Sequence, residues 1–143
     1  MRSREPLTRG AAKILPRLEK LAVSDLRIQF ISYKGKQILM VNLANLSAAE
    51  VEKTVRAVPE IVAARPRDSV LILSDFTGAS FDQEAVRAMK ESAVFDKPYV
   101  KKSAWIGVES FPEVFRQNLK SFSQREFPTF KSRQEALEWL ATD

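Results

Sequence analysis

The chain has 143 residues, of which 45% are hydrophobic and 29% charged, and its net charge at neutral pH is +5. This length and composition are typical of one folded globular domain. The sequence contains neither cysteine nor histidine. Disulfides, thiol nucleophiles, Cys/His metal sites and proton transfer by imidazole are therefore excluded.

The positive charge is concentrated at the N-terminus. Residues 1–24 hold six basic and two acidic side chains, whereas residues 25–143 hold 17 and 16. A nearly neutral body lacks the broad positive face that nucleic-acid binding requires, so a nucleic-acid partner is disfavoured. We interpret residues 1–24 as a basic extension, either solvated or laid on the domain as a helix, with contact to anionic lipid or a partner as the alternative. Residues 25–143 are the predicted domain.

The apolar runs of the chain are short. None approaches the roughly 18 residues of a membrane span, and the N-terminus has no apolar region followed by a cleavage site for secretion. We therefore expect a cytoplasmic protein without a transmembrane segment.

The first half of the domain predicts a hairpin, a helix and a buried strand. Alternating apolar residues on both sides of Tyr33-Lys34-Gly35-Lys36 are typical of an antiparallel hairpin. A capping box at Ser47–Glu50 predicts the start of a helix, which Pro59 should kink or restart. The uninterrupted apolar run Ser69–Ser74 predicts the central strand of a sheet that is covered on both faces.

The second half repeats the alternation of helix and strand. The predicted elements are a helix over Asp82–Phe95 and a strand over Ser103–Val108. A capping box at Ser110 then opens a helix with apolar residues along it: Phe111, Val114, Phe115, Leu119 and Phe122. A short strand over Glu126–Phe130 and a helix from a capping box at Ser132 follow. Every later connection between strands contains a helix, so those strands should be parallel. The predicted fold class is α/β: a single domain with a mainly parallel five-stranded sheet, an antiparallel first strand and helices packed on it.

The loop that follows the central strand is the first candidate site, because open α/β sheets place ligands at this edge. Its candidate ligand-binding or regulatory residues are Asp75, Thr77, Gly78, Ser80 and Asp82. One interpretation is that the two carboxylates act as acid and base or hold Mg²⁺. The favoured interpretation is that they are turn and cap residues. The loop has a single glycine and lacks the glycine-rich motif of nucleotide sites, so no cofactor is predicted.

Ser80 has the spacing of a helix cap. Together with Gln83, three residues further on, it matches a capping box, so we predict that its hydroxyl caps the following helix. The alternative is a regulatory role, in which this hydroxyl is modified or binds an anion.

Several segments of the domain resemble one family. They are Tyr33–Lys36, Leu71–Gly78, Lys97–Ala104, Phe122–Phe130 and Ala136–Leu140. In these segments the chain is similar to the STAS-type anti-sigma-factor antagonists, and more closely to the bacterial SpoIIAA-like group, which is also described as similar to CRAL-TRIO lipid carriers. The resemblance implies a STAS-like α/β fold over residues 25–142 and a module without catalytic activity.

The resemblance also bears on regulation. In the phosphorylated antagonists a D-S-S-G sequence presents a serine at the helix N-terminus, whereas this chain has Asp82-Gln83-Glu84-Ala85 there. The acceptor serine is missing, and Thr77 or Ser80 is close enough in sequence to replace it.

The aromatic residues of the second half of the domain have two interpretations. They form the ordinary core, which is favoured, or they line an apolar pocket with its mouth near Phe76, Phe81, Tyr99 and Trp105. A domain of this size has room for a small apolar molecule but not for a phospholipid.

The residues and the resemblance together predict a non-enzymatic STAS-like interaction or regulatory module. Its predicted partner is another protein or a second copy of the chain, bound through an exposed strand edge or the loop after the central strand. The alternative function, implied by the CRAL-TRIO resemblance, is a carrier of a small non-polar molecule.

Overall fold

A five-stranded sheet forms the centre of the computed structural model, which describes residues 27–111 and 113–143. Its elements are β1 (Ile28–Tyr33), β2 (Lys36–Asn42), α1 (Ala48–Ala63), β3 (Val70–Asp75), α2 (Gln83–Asp96), β4 (Val100–Ile106), a 3₁₀ turn (Val108–Ser110), α3 (Glu113–Ser123), β5 (Thr129–Phe130) and α4 (Arg133–Ala141). The basic extension predicted at residues 1–24 lies outside the described residues.

The strands are arranged in the order in which they occur in the chain. β1 and β2 are antiparallel, and the pairs β2–β3, β3–β4 and β4–β5 are parallel. β3 is therefore the central strand, and its residues Val70–Ser74 are all buried. The predicted fold class and the predicted place of this strand are confirmed.

The two faces of the sheet carry different helices. Helices α1, α2 and α3 cover one face, where Val51, Val58 and Met89 belong to the larger apolar core. Helix α4 covers the other face, where its residues Leu137 and Leu140 belong to the smaller core. No helix of the described residues is long and apolar enough to cross a membrane.

The three predicted capping boxes have different outcomes. The box that opens α1 is complete, because the Ser47 hydroxyl and the Glu50 side chain each accept the other's backbone N–H. The box that opens α4 is half formed: Ser132 accepts from the Glu135 backbone, but the Glu135 carboxylate accepts from the Lys131 backbone. Both helices therefore begin where the sequence predicts.

Helix α3 begins later than its box predicts. The backbone of Phe111 is extended, with φ −79° and ψ 127°, and the helix starts at Glu113. Phe111 precedes a proline, and this position disfavours the α conformation.

Two elements with a proline in or beside them differ from the sequence prediction. Pro59 lies within α1, but α1 continues to Ala63 as one helix, so the predicted restart is wrong. Pro128 shortens β5 to two residues, because a proline has no N–H to donate to the sheet. Its carbonyl still accepts the backbone N–H of Trp105 at 2.9 Å.

Helix α3 does not bury every apolar residue along it. Leu119 is buried, whereas Val114 and Phe122 are 66% and 58% exposed. On α2, Val94 and Phe95 are 46% and 51% exposed. These two helices therefore present apolar side chains to solvent.

Candidate functional site

The loop Asp75–Asp82 lies at the carboxyl edge of the sheet, as predicted, and is bound to the β2–α1 connection. The Asn45 backbone N–H donates to the Thr77 carbonyl at 2.8 Å, and the Ser80 N–H donates to the Leu46 carbonyl at 3.0 Å. Backbone hydrogen bonds on both sides hold this loop in one conformation.

The two carboxylates of the loop have turn and cap roles. Asp75 Oδ1 accepts from the Thr77 backbone at 3.0 Å and from the Thr77 hydroxyl at 2.7 Å, which closes an Asx turn. Asp82 is the N-cap of α2, and its Oδ1 accepts from the Ala85 N–H at 2.8 Å. Within residues 27–111 and 113–143, no three acidic side chains are grouped so that they could hold a metal ion.

The prediction that Ser80 caps α2 is wrong. Asp82 occupies the N-cap position with an extended backbone, and Ser80 is an exposed residue two positions earlier. A carboxylate is favoured at this position because it accepts a hydrogen bond and also compensates the positive end of the helix dipole. The regulatory role of Ser80 or Thr77 stays a prediction.

Two glycines allow the loops of this edge to lie close together. Gly78 has φ +67°, and a Cβ there would overlap with the Asn45 side chain. Gly107, directly after β4, has φ +71°, and a Cβ there would lie 2.5 Å from the Thr77 backbone nitrogen. Only glycine fits either position, since each combines a left-handed backbone with a close contact.

Three of the four aromatic residues predicted at a pocket mouth lie together. The ring of Phe76 lies 6.1 Å from the ring of Phe81 and 4.9 Å from that of Trp105, centroid to centroid. Phe111 completes the group, with its ring 4.7 Å from both phenylalanine rings. Phe76 and Trp105 are buried, and Phe81 and Phe111 are partly buried against the same apolar core.

Tyr99, the fourth residue of the predicted mouth, is not part of this group of rings. It directly precedes β4, whereas Trp105 is near the end of that strand. Six residues of extended chain span about 20 Å, so Tyr99 and Trp105 lie at opposite ends of β4. Tyr99 stacks on Phe95 instead, with centroids 6.3 Å apart.

A cavity of about 70 Å³ lies between the sheet and the helices α1–α3. Its apolar lining includes Phe76 and Trp105 of the predicted pocket, but neither Phe81 nor Tyr99. One water molecule needs about 10–15 Å³, so the cavity has room for a few waters or one small organic molecule. The other lining residues are Val41, Leu43, Val55, Val58, Ile72, Ser74, Met89, Ser92, Ala93, Asp96, Ser103, Leu119, Arg125 and Phe127.

A charged pair lies at this cavity. Asp96, the last residue of α2, is only 3% exposed, and its Oδ2 accepts from the Ser92 hydroxyl at 2.8 Å. Arg125 donates to the Ala93 carbonyl at 3.0 Å and to the Ser103 hydroxyl at 2.7 Å. Asp96 Oδ1 has no hydrogen-bond partner among the described residues.

The electrostatics of the pair follow from its burial. Burial raises the pKa of the Asp96 carboxyl from 3.8 to about 6, although the Ser92 hydrogen bond and the Arg125 charge act in the opposite direction. Burial likewise lowers the pKa of Arg125, while the charge of Asp96 raises it. The two groups are thus near enough to stabilise each other's charged form, but this effect does not offset the loss of hydration.

The polar residues of the cavity were not predicted as site residues, although the sequence contains a signal for them. Ser92 and Asp96 lie seven and eleven positions after Ala85, on the face of α2 that is otherwise apolar. Ser74 and Ser103 occupy buried positions in the two strands β3 and β4. A polar residue on a buried face is the informative exception to the apolar pattern.

The comparisons with known proteins give a fold. No known protein family matches the chain by its sequence pattern, and no curated protein does so. Among solved structures, the chain is similar to an uncharacterized protein of the DUF3478 family from Shewanella loihica, described as having a SpoIIAA-like fold. The two chains are 19% identical with a TM-score of 0.58, over 80% of this chain and 92% of that one. This chain therefore has a SpoIIAA-like fold.

Proposed function

We propose that the chain is a non-enzymatic STAS-like interaction module that acts in the cytoplasm and binds another protein or a second copy of itself. The observation that carries the proposal is the apolar surface of α2 and α3. We define the α2–α3 patch as Val94, Phe95 and Phe122, which are 46%, 51% and 58% exposed. Exposed apolar side chains on two neighbouring helices are typical of interaction surfaces.

The members of the patch come from neighbouring helix turns. The Lys90 ammonium on α2 lies 5.8 Å from the centroid of the Phe122 ring on α3. Val94 is one helical turn after Lys90, and Phe95 adjoins it. An aromatic ring beside a cation and aliphatic side chains suits a protein partner with apolar and acidic groups.

The loop Asp75–Asp82 supports a non-catalytic interpretation. Its carboxylates are engaged in the Asx turn of Asp75 and the N-cap of Asp82. A general acid or base must instead reach a substrate proton, and these contacts give both groups a structural role.

Sedimentation velocity over a series of concentrations tests self-association. If the patch binds a second copy, the wild type should associate and Phe122→Ser should weaken this association. Val114→Ser is the matched control, because Val114 is an exposed apolar residue of the same helix outside the patch. Equal weakening by both variants would exclude the patch as the contact surface.

A monomer at all concentrations would leave a different protein as the partner. A photo-crosslinking residue at position 122 should then capture one defined protein in the native host, and the same residue at position 114 should not. Equal capture at both positions, or at neither, would overturn the proposal.

A second candidate function is a carrier of a small non-polar molecule, which the cavity beneath α2 and α3 favours. Trp105, Met89 and Leu119 give it a largely apolar wall. Its volume of about 70 Å³ suits a small molecule and not a phospholipid. Native mass spectrometry of the protein from its own host should show a bound small mass, and a ligand-free protein would count against this function.

A further inference from the structure

We propose that the cavity between the sheet and helices α1–α3 binds a small apolar molecule with a neutral hydroxyl or carboxamide group, and that Ser74, Asp96 and Arg125 bind this polar group. The inference rests on the second candidate function, the carrier, and adds to it the chemistry of the ligand. It concerns residues of α2, β3 and the segment after α3.

The cavity exists because two small polar residues stand where a sheet interior normally has large apolar ones. Ser74 and Ser103 lie on the inner face of neighbouring central strands, where Ser74 pairs with Trp105 and Ser103 pairs with Ile72. Their neighbours Ile72 and Trp105 are large and buried. Serine side chains leave a volume that valine or leucine would fill, and close packing makes such voids uncommon.

The polar atoms around the cavity have hydrogen-bonding capacity left. Asp96 Oδ1 is buried and has no hydrogen-bond partner among the described residues, and the Ser74 side chain also lines the cavity. Arg125 uses its two terminal nitrogens for the Ala93 carbonyl and the Ser103 hydroxyl, although a guanidinium has five N–H donors. Buried polar groups are normally paired, so unpaired ones beside a cavity indicate a missing partner.

The charges select the polar group of the ligand. Asp96 accepts hydrogen bonds and Arg125 donates them, so a group that both donates and accepts matches the pair. A hydroxyl or a carboxamide has both capacities. A carboxylate would face the Asp96 carboxylate, and an ammonium would face Arg125, so neither ion fits as well.

The apolar body of the ligand would lie against the remaining wall. Trp105, Phe76 and Met89 line the cavity, and all three are buried. Because Trp105 is one of only two tryptophans in the chain, its fluorescence reports directly on this space. The other, Trp139, belongs to the core on the opposite face of the sheet.

The test is a fluorescence titration of the full chain at pH 8 with ethanol, acetamide, acetate and ethylamine, which are small enough for a cavity of about 70 Å³. Ethanol and acetamide should bind and change the Trp105 emission, and the two ions should bind at least about tenfold more weakly. Arg125→Met should weaken ethanol binding at least about tenfold, as expected for the loss of a hydrogen bond to a charged group. Arg116→Met is the matched control, since Arg116 lies on α3 in an ion pair with Glu113.

Ser74→Val keeps the test informative if Arg125→Met does not fold. Valine favours a strand and fills the cavity, so this variant should fold and lose ethanol binding. Undiminished binding by Ser74→Val, tighter binding of acetate than of ethanol, or no binding of any probe would each overturn the proposed site.

Failure of the site and failure of the carrier function give different results. If ethanol binds as described but the protein from its host carries no small mass, the site stands and the carrier function fails. If a small mass copurifies equally with the wild type, Ser74→Val and Arg125→Met, the carrier function stands and this site is wrong.

Discussion

Replacing Asp96 with asparagine should stabilise the protein at pH 8. Asp96 is 3% exposed, and burial raises its pKa to about 6 from the ordinary 3.8. A raised carboxyl pKa in the folded state means that folding disfavours the charged form. The wild type therefore loses stability as the pH rises from about 4 through about 6, and asparagine removes this loss.

The magnitude follows from the size of the pKa change. One pKa unit corresponds to about 1.4 kcal/mol. The raised pKa of Asp96 therefore lowers the free energy of unfolding by about 3 kcal/mol at pH 8 and by about half of that at pH 5. The asparagine oxygen can still accept from the Ser92 hydroxyl. The asparagine amide nitrogen takes the place of Asp96 Oδ1, which has no hydrogen-bond partner among the described residues of the wild type. Each protein therefore buries one unpaired polar atom at this position, and the two costs largely cancel in the comparison.

Urea unfolding followed by tryptophan fluorescence measures the effect at several values between pH 5 and pH 8. Asp96→Asn should have the higher free energy of unfolding, with a difference that shrinks by about 1.5 kcal/mol from pH 8 to pH 5. Glu84→Gln removes a charge from an exposed position of the same helix and gives the background effect of charge removal. An equal difference at both pH values, or a less stable Asp96→Asn at pH 8, would refute the reasoning.

Two further predictions concern the carboxyl edge of the sheet. Gly107→Ala should lower the free energy of unfolding by about 2–4 kcal/mol, because the left-handed backbone adds to an overlap with Thr77. Gly35→Ala, with a similar φ but open space, should cost only about 1 kcal/mol, and equal losses in thermal unfolding would contradict the role of the overlap. Asp82→Ala should cost about 1 kcal/mol through the lost cap, and Ser80→Ala less than about 0.5 kcal/mol. The opposite order in urea unfolding would restore Ser80 as the cap.

The order of the elements follows from the sequence alone, because its signals are local. The capping box at Ser47 and the hydroxyl of Ser132 define helix starts through contacts within four residues. The uninterrupted apolar run that became β3 identified the central strand, since only a strand covered on both faces needs apolar residues without alternation. Such signals do not depend on how the elements later pack.

Choices between neighbouring residues were less well predicted. Ser80 and Asp82 both match the residue types of an N-cap, but in the structure Asp82 occupies the N-cap position of α2. Phe122 follows the helical period of Leu119 and Phe115, yet it is exposed. The period gives the direction of a side chain, but only the neighbouring helix decides whether anything covers it.

The candidate cavity depends on contacts that only the tertiary structure makes. Asp96 ends α2 and Arg125 follows α3, so they line the same cavity only when both helices pack on the sheet. Conversely, Tyr99 and Trp105 are close in sequence but lie at opposite ends of β4, because the extended strand separates them. Local structure is determined by residues a few positions apart, whereas burial, unpaired polar atoms and empty volume arise only where distant segments are packed together.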